Sequence, residues 1–522
     1  MLILTEIILL AMLLKTPFFA INVSLFLLIF TNLLPVDGLK AQSLSADIKI
    51  IEQTNDLMGG IVLVFCAEEL IEVLPFGKAD LARDISVSDS TQFRIASISK
   101  TITALAVMQL YEAGLVDLDE NVSSYLGFDL VNPSHPQKAI TARMLLSHTS
   151  SIVDGSGYGS FLSASYSDNP IPPISALLSS SGAFYTGDIF NNTNPGSYFN
   201  YSNLNFGILG TLVEKISGLR FDQYCKNKIL QPLGIKGSFN VNDIENIDNV
   251  SVLYRKINGA WIPQADNYQG IQPVFTNLDS YVVGDNGLRF GPQGGLRVSG
   301  TELAKLFQLF LNGGSLNGVE VLESSTVEEM MTTQWLYDGT NGNNYYGLFN
   351  SWGLGLQKST NTENQDVVLQ SSSPMIGHPG EAYGLISDAY VDTEKNLGLV
   401  LVINGSGSGY STNNFSAFYS IEKAVFDAIN TYDYGTSCMP NSLQDRWFSK
   451  ARIYPNPVDS FFVIEQIDHL SEQEAQLYNS KGELITTCTI LNGQVSGLSD
   501  LKTGVYFLRI IGSETIIRFV KK

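Results

Sequence analysis

From Ile98 to Tyr111 the chain reads Ile-Ser-Lys-Thr-Ile-Thr-Ala-Leu-Ala-Val-Met-Gln-Leu-Tyr, and Lys100 is the only charge in the run. Ile98, Ile102, Leu105, Ala106 and Leu110 recur at helical spacing, and Gly114 is a natural stop. A helix this apolar is buried on most sides, so the chain must build a core around it and take an ammonium group inside. A buried ammonium is costly unless something uses it. Ser97 precedes Lys100 by three residues, one turn, so the two share a face. Burial lowers a lysine pKa toward neutrality, and a hydroxyl beside such an amine is a nucleophile beside its base. The competing reading is a helix N-cap at Ser97 or Ser99.

Ser-x-x-Lys alone carries little weight. Ser420-Ile421-Glu422-Lys423 and Ser499-Asp500-Leu501-Lys502 repeat it, and about two accidental copies are what common residues give at this length. Both extra copies contain a carboxylate and read as solvated.

The 522 residues allow two or three domains, and 44% hydrophobic with 16% charged residues describes a globular protein. The net charge of −20 argues against nucleic acid or an anionic membrane as partner; Arg518 to Lys522 is a small basic exception. Four cysteines and four histidines are scattered without metal-binding spacing, so no metal and no cofactor are expected. Cys66 lies in an apolar strand and reads as simply buried.

Residues 1–42 are strongly apolar and are read as a signal peptide, with Lys15 in its n-region, an apolar stretch around Leu25 to Leu34, and a start at Met1 or Met12. The alternative is a membrane anchor, since Phe18 to Leu34 nearly spans a bilayer. No later stretch is long and apolar enough for a stable membrane span. Two strand-like runs follow, Ile61 to Cys66 and Ile71 to Phe76, joined by a turn at Glu68-Glu69. Arg143 to His148 and Phe206 to Ile216 read as helical, and Ser150 to Thr193 as a lid-like loop or a surface insertion. Gly294-Gly295-Leu296 leads into a helix at Thr301 to Leu311. Strands are expected at Tyr383 to Ile386, Asp388 to Val391 and Leu397 to Ile403, then a helix from Phe415 to Asn430. The pattern is α+β, an antiparallel sheet made from both ends of the domain with helical material inserted between. The expected division is a catalytic domain over 43–430, a linker over 431–446, and a small all-β domain over 447–522. That last part carries strand-like runs at Phe461 to Ile464, Glu474 to Tyr478, Gly504 to Ile510 and Thr515 to Val520.

Two further motifs accompany Ser97 and Lys100. Pro195-Gly196-Ser197-Tyr198-Phe199-Asn200-Tyr201-Ser202-Asn203 offers a phenol that near a lysine can act as general base. Gly377-His378-Pro379-Gly380-Glu381 leads into a strand, where glycine lets a backbone N–H approach a reacting carbonyl oxygen.

Taken together, residues 50 to 430 resemble the serine β-lactamase-like family, which includes class C β-lactamases, D-alanyl-D-alanine peptidases and related esterases. The order Ser-x-x-Lys, Tyr-x-Asn, His-x-Gly matches, as do Leu145-Leu146-Ser147-His148-Thr149-Ser150 and Gly294-Gly295-Leu296. The resemblance implies a β-lactamase/transpeptidase-like fold, with an antiparallel sheet, helices on its faces and an inserted helical region. It implies Ser97 as acylated nucleophile, Lys100 and Tyr201 exchanging its proton, and Asn203 supporting them. Backbone N–H groups of Ser97 and Glu381 would form the oxyanion hole beside Gly380, and His378 would stand where many relatives have a lysine. His148 reads as structural. The tail resembles a type IX secretion sorting domain of type A through Tyr454-Pro455-Asn456-Pro457, Gly504-Val505-Tyr506 and Lys521-Lys522.

The expectation is therefore a serine hydrolase, secreted or held at the cell surface by way of the periplasm, forming an acyl-serine intermediate on a small-molecule or peptide ester or amide. Its second partner is the type IX secretion machinery. The alternatives are a D-alanyl-D-alanine carboxypeptidase or β-lactamase, and a non-catalytic surface protein that binds peptidoglycan. His378 and Pro379 lack the charge and hydroxyl of Lys-Thr-Gly, and Glu381 adds repulsion if it faces the cleft, so substrates without a carboxylate beside the scissile bond are expected.

Overall fold

The computed structural model describes residues 43–434 apart from 372, then 438 and most of 452–522. The signal or anchor reading of residues 1–42 lies outside the described residues, as does most of the expected linker. Among the described residues no helix is long and apolar enough to cross a membrane. The chain divides after Tyr434 into two compact units.

In the first unit, Leu57–Cys66 (β1) and Leu70–Asp80 (β2) form the expected hairpin, and Ile85–Ser86 (β3) adds to its edge. The sheet is completed by Trp335–Leu336 (β4), Ser351–Trp352 (β5), Gln357–Lys358 (β6), Ile376–Ala382 (β7), Leu385–Asp392 (β8) and Leu397–Ser406 (β9). Its order is β4-β5-β6-β7-β8-β9-β1-β2-β3, antiparallel throughout. Strand β1 is buried along its whole length. That is why its sequence is a continuous apolar run rather than an alternation: both faces of the sheet are covered. Helices Leu44–Thr54 (α1) and Ser420–Asn430 (α5) pack together at one face of this sheet. Helices Ser99–Glu112 (α2), Asn203–Ser217 (α3) and Gly300–Leu311 (α4) contribute to the main core, with α2 against α3 and α4 against β1. The approach at Gly300 is close: a Cβ there would meet side-chain methyls of Ile61 at 2.7 Å and Leu63 at 2.8 Å, and these would have to shift.

Several boundaries move. The strands expected at Tyr383 to Ile386 and Asp388 to Val391 are one strand, β8; Tyr383 and Gly384, both left-handed, make the turn before it. The third motif does not lead into a strand but lies inside one, β7, where Pro379 pairs with Asp388. The last helix begins at Ser420, because Ser416–Tyr419 pairs with Thr412–Asn413 and Glu422 closes a capping box on Tyr419. Helix α3 reaches back to Asn203. The segment 150–193 holds two helices, Tyr158–Ser167 and Ser175–Leu178. Cys66 is not a plain core residue: it is disulfide-bonded, as is Cys438, while Cys225 and Cys488 are free.

The second unit is a seven-stranded antiparallel sheet in the order 452–454, 461–465, 494–496, 484–491, 472–479, 504–510, 516–521. Its core includes Val458, Phe462, Leu477, Ile490, Leu508 and Phe519. Strands 484–491 and 494–496 are absent from the sequence reading, although the first, with its threonines and isoleucines, is rich in strand-favouring residues. Pro455 and Asn456 lie outside the described residues.

Candidate active site

The site is assembled where the segment entering α2 crosses β7. Gln92–Arg94 pairs with Arg297–Ser299, and the Ile95 N–H donates to Leu296 O at 3.0 Å. Ala96 then adopts a left-handed φ of +46°, a conformation that costs a non-glycine residue on the order of 1 kcal/mol. It turns the chain into a short 3₁₀ turn, Ala96–Ile98, that carries Ser97 ahead of α2. Neither serine caps the helix: Ser99 Oγ accepts from Leu296 N–H at 3.1 Å, and Ser97 Oγ meets Lys100. The N-cap alternative is therefore set aside.

Lys100 is fully buried. Its Nζ lies 3.1 Å from Ser97 Oγ, 2.8 Å from Asn203 Oδ1 and 2.7 Å from Gln293 O. The rings of Tyr201 and Phe206 lie 4.8 and 5.7 Å away. Burial brings the Lys100 pKa down to about 7, with the Asp154 carboxylate opposing the fall.

Tyr201, rather than Tyr198, is hydrogen-bonded to Ser97. Its ring stacks on Phe349 with centroids 5.3 Å apart and lies 4.3 Å from the imidazole of His148. Burial pushes its phenol above the ordinary range, only partly offset by the Ser97 hydrogen bond. Tyr201 is thus a neutral phenol, not a phenolate, and among the two candidate bases the lysine is the one that loses its proton near neutrality.

His378 is buried on β7, and its Nδ1 lies 2.5 Å from Pro379 O. A carbonyl only accepts, so Nδ1 carries the proton and Nε2 is a bare acceptor, buried without a partner. Burial and the charge of Lys100 bring its pKa down to about 3, so it supplies no positive charge. Gly380 faces the nucleophile segment: a Cβ there would stand 2.7 Å from Ile95 O and 3.3 Å from Ser97 N. Strand alternation turns Glu381 to the opposite face, where its carboxylate accepts from Tyr419 Oη. The expectation that this side chain could repel substrate in the cleft is thereby corrected.

Sequence reasoning overlooked Asp154 and Gln293, which no spacing or periodicity marks, and the way His148 is used. His148 is left-handed and buried, packs against Tyr201 and Trp352, and accepts from Ser202 N–H at Nδ1 over 3.1 Å. Among the described residues no cluster of three or more His, Cys, Asp or Glu has the geometry to hold a metal ion.

Comparison with known proteins places this arrangement. The beta-lactamase profile matches residues 48–417, and that of the secretion system C-terminal sorting domain matches 452–522. Protein flp of Staphylococcus aureus (strain N315) is 27% identical over 188 residues, 35% of this chain and 36% of flp. Penicillin-binding protein 4* of Bacillus subtilis (strain 168) is 26% identical over 182 residues, 34% of this chain and 36% of that protein. The chain thus spans about a third of the length of the curated relatives it matches. The octameric penicillin-binding protein homologue from Pyrococcus abyssi shares the fold, with a TM-score of 0.55 and 19% identity over 92% of this chain and 99% of that one. With the beta-lactamase profile covering well over half of the sequence, the chain belongs to the beta-lactamase family, and its residues 452–522 form a secretion system C-terminal sorting domain.

Proposed function

We propose that this protein hydrolyses an ester or amide through an acyl-serine intermediate on Ser97, with Lys100 as general base, Tyr201 as proton relay and Asn203 as support. The observation that carries this reading is the partner set of Lys100. Asn203 Oδ1 and Gln293 O are acceptors only, and they use the two hydrogens of a neutral amine. The remaining lone pair is left facing Ser97 Oγ at 3.1 Å. The Ser97 proton passes to Lys100 as Oγ bonds to the substrate carbonyl carbon, and the backbone N–H groups of Ser97 and Glu381 stabilise the oxyanion. Tyr201 hands a proton to the leaving group and is refilled from Lys100. Water then attacks the acyl-enzyme by the same route in reverse, releasing the acid and restoring Ser97.

The hydrolase domain occupies 43–430, and residues 447–522 direct export through the type IX secretion machinery to the cell surface or beyond, after a signal peptide over 1–42. The matched tail supports this, as does the oxidised state of Cys66, which fits a compartment outside the reducing cytosol. Deleting 447–522 should leave catalysis unchanged and retain the protein in the periplasm; its appearance outside at normal levels would refute the sorting role.

The catalytic reading is tested with a fluorophosphonate probe followed by peptide mass spectrometry. Label is expected on Ser97 alone, and Ser97→Ala should lose at least ~10³-fold in turnover with its fold intact. An unlabelled Ser97 with no hydrolysis of any ester, D-amino-acid amide or lactam would favour the ligand-binding alternative.

A further inference from the structure

Asp154 lies outside every motif discussed above, in the loop between Ser150 and the helix Tyr158–Ser167, yet it touches the centre of the site. Its Oδ1 accepts from Ser202 Oγ at 2.9 Å and from Leu204 N–H at 2.8 Å. Its Oδ2 accepts from Asn203 N–H at 3.2 Å and from Asn203 Nδ2 at 2.8 Å. We propose that Asp154 is a positioning residue of the hydrolysis: it fixes the Asn203 amide with its oxygen toward Lys100, and so holds the lysine lone pair on Ser97. The inference rests on the acyl-serine reading given above.

An amide side chain has two nearly isosteric orientations, and only its partners decide between them. A carboxylate accepts only, so Asp154 compels Nδ2 to face it and Oδ1 to face Lys100. With the amide reversed, an NH₂ group would confront the amine, and the lysine would turn a hydrogen instead of its lone pair toward Ser97. The backbone bonds from Asn203 and Leu204 are those of a helix cap. A cap alone does not need the bond to Nδ2, nor a negative charge directed at Lys100. That charge matters as well, because it opposes the loss of the lysine proton. The other titratable groups around Lys100 are Tyr201, a neutral phenol, and His148 and His378, both kept neutral by burial and by the lysine itself. Asp154 is therefore the carboxylate that sets the field at the base. A rival role, gripping an ammonium group of the substrate, is disfavoured because the four lone-pair sites of the carboxylate already serve four donors.

The test compares kcat/KM across pH for wild type, Asp154→Asn and Asp154→Ser on p-nitrophenyl acetate and on a D-amino-acid amide, each variant also made in an Asn203→Ala background. Both substitutions should lower the plateau by ~10-fold or more, the loss expected when a reacting group is slightly misplaced. They should move the acid limb to lower pH, because removing the negative charge makes protonated Lys100 less favourable. In the Asn203→Ala background the plateau should fall little further, because Asp154 acts through that amide. Should Asp154→Asn not fold, Asp154→Ser, whose hydroxyl still accepts from the helix, carries the same readouts. A lower Tm with an unmoved pH profile would reduce Asp154 to a helix cap and overturn the proposal. So would full additivity with Asn203→Ala, or a loss confined to the amine-bearing substrate. Wild type that neither hydrolyses these substrates nor labels at Ser97 would bring down the acyl-serine reading first, and this one with it.

Discussion

Gly380 approaches Ile95 so closely that a Cβ on the glycine would stand 2.7 Å from the Ile95 carbonyl oxygen, two residues ahead of Ser97. The same Cβ would meet Ser387 Oγ at 2.4 Å, which can rotate away; the carbonyl belongs to the backbone and cannot. Gly380→Ala should push β7 off the Ser97 segment and lower kcat/KM for a neutral ester by ~10-fold or more, with Tm falling by only a few degrees. Wild-type kinetics in this variant would show that the close approach is dispensable.

On the proposed mechanism Lys100 must be neutral to take the Ser97 proton. With its pKa brought down to about 7 by burial, kcat/KM should rise with pH through neutrality, falling about tenfold for each unit below it. Because burial holds Tyr201 above the ordinary tyrosine range, no alkaline limb is expected below about pH 9. Lys100→Arg should be inactive at every pH, since a guanidinium does not deprotonate. A pH–rate profile with its acid limb near pH 4 would identify a carboxylate or imidazole as the base instead.

The third motif argues for uncharged substrates. Where relatives present the lysine of Lys-Thr-Gly, this chain presents a neutral, buried His378. A neutral ester should exceed nitrocefin and a D-alanyl-D-alanine peptide in kcat/KM by at least ~10-fold. Pro379→Thr and Glu381→Ser should both leave the gap alone, because alternation puts the two side chains on the face where Glu381 meets Tyr419, and the gap follows from the neutral His378. Efficient turnover of nitrocefin by wild type would reverse this view of the motif.

Asp388 on β8 and Glu422 on α5 are a pair of buried acids. Burial and Glu422 push Asp388 well above the carboxylate range, and burial brings Glu422 up to about 8. The folded protein therefore keeps protons that the unfolded chain loses, and the pair's contribution to stability falls as pH rises from about 4.5 to about 8. Glu422→Gln keeps an acceptor for Tyr419 N–H and offers Asp388 a donor. Its Tm should match wild type near pH 5 and exceed it by several degrees at pH 8.5. Parallel Tm curves across that range would contradict a pH-dependent cost of burying the two acids.

What the sequence disclosed followed the range of its signals. The adjacency of Ser97 and Lys100 is local, since residues one turn apart on a helix share a face whatever surrounds them. The β1–β2 hairpin was legible from two apolar runs and a polar turn. Strand β7 was not, because two glycines and Pro379 suppress every strand signal while the pairing with β8 restores the strand. Asp154, Gln293 and His148 act across long separations, through a carboxylate clamp, a main-chain oxygen and a stacked ring. None of these has a period or a spacing. His148 was seen as part of a motif, but its place beneath Tyr201 depends on a left-handed backbone that only tertiary packing selects.

Strand β1 sits in the middle of the sheet, yet one of its two neighbours, β9, joins it some 340 residues later, with Val62 opposite Leu401. A ribosome that has made Ser97, Lys100 and even Tyr201 has still not made the strand that closes the sheet. The domain cannot complete its fold in stages from the amino terminus, and loop closure over that span makes folding slow. Until residue 406 has emerged, β1 has apolar side chains on its faces and a row of unpaired N–H and C=O groups along one edge. Strand β7, which the Ser97 segment crosses, is likewise made late, at Ile376–Ala382, so the site shares the sheet's dependence on the far end of the domain.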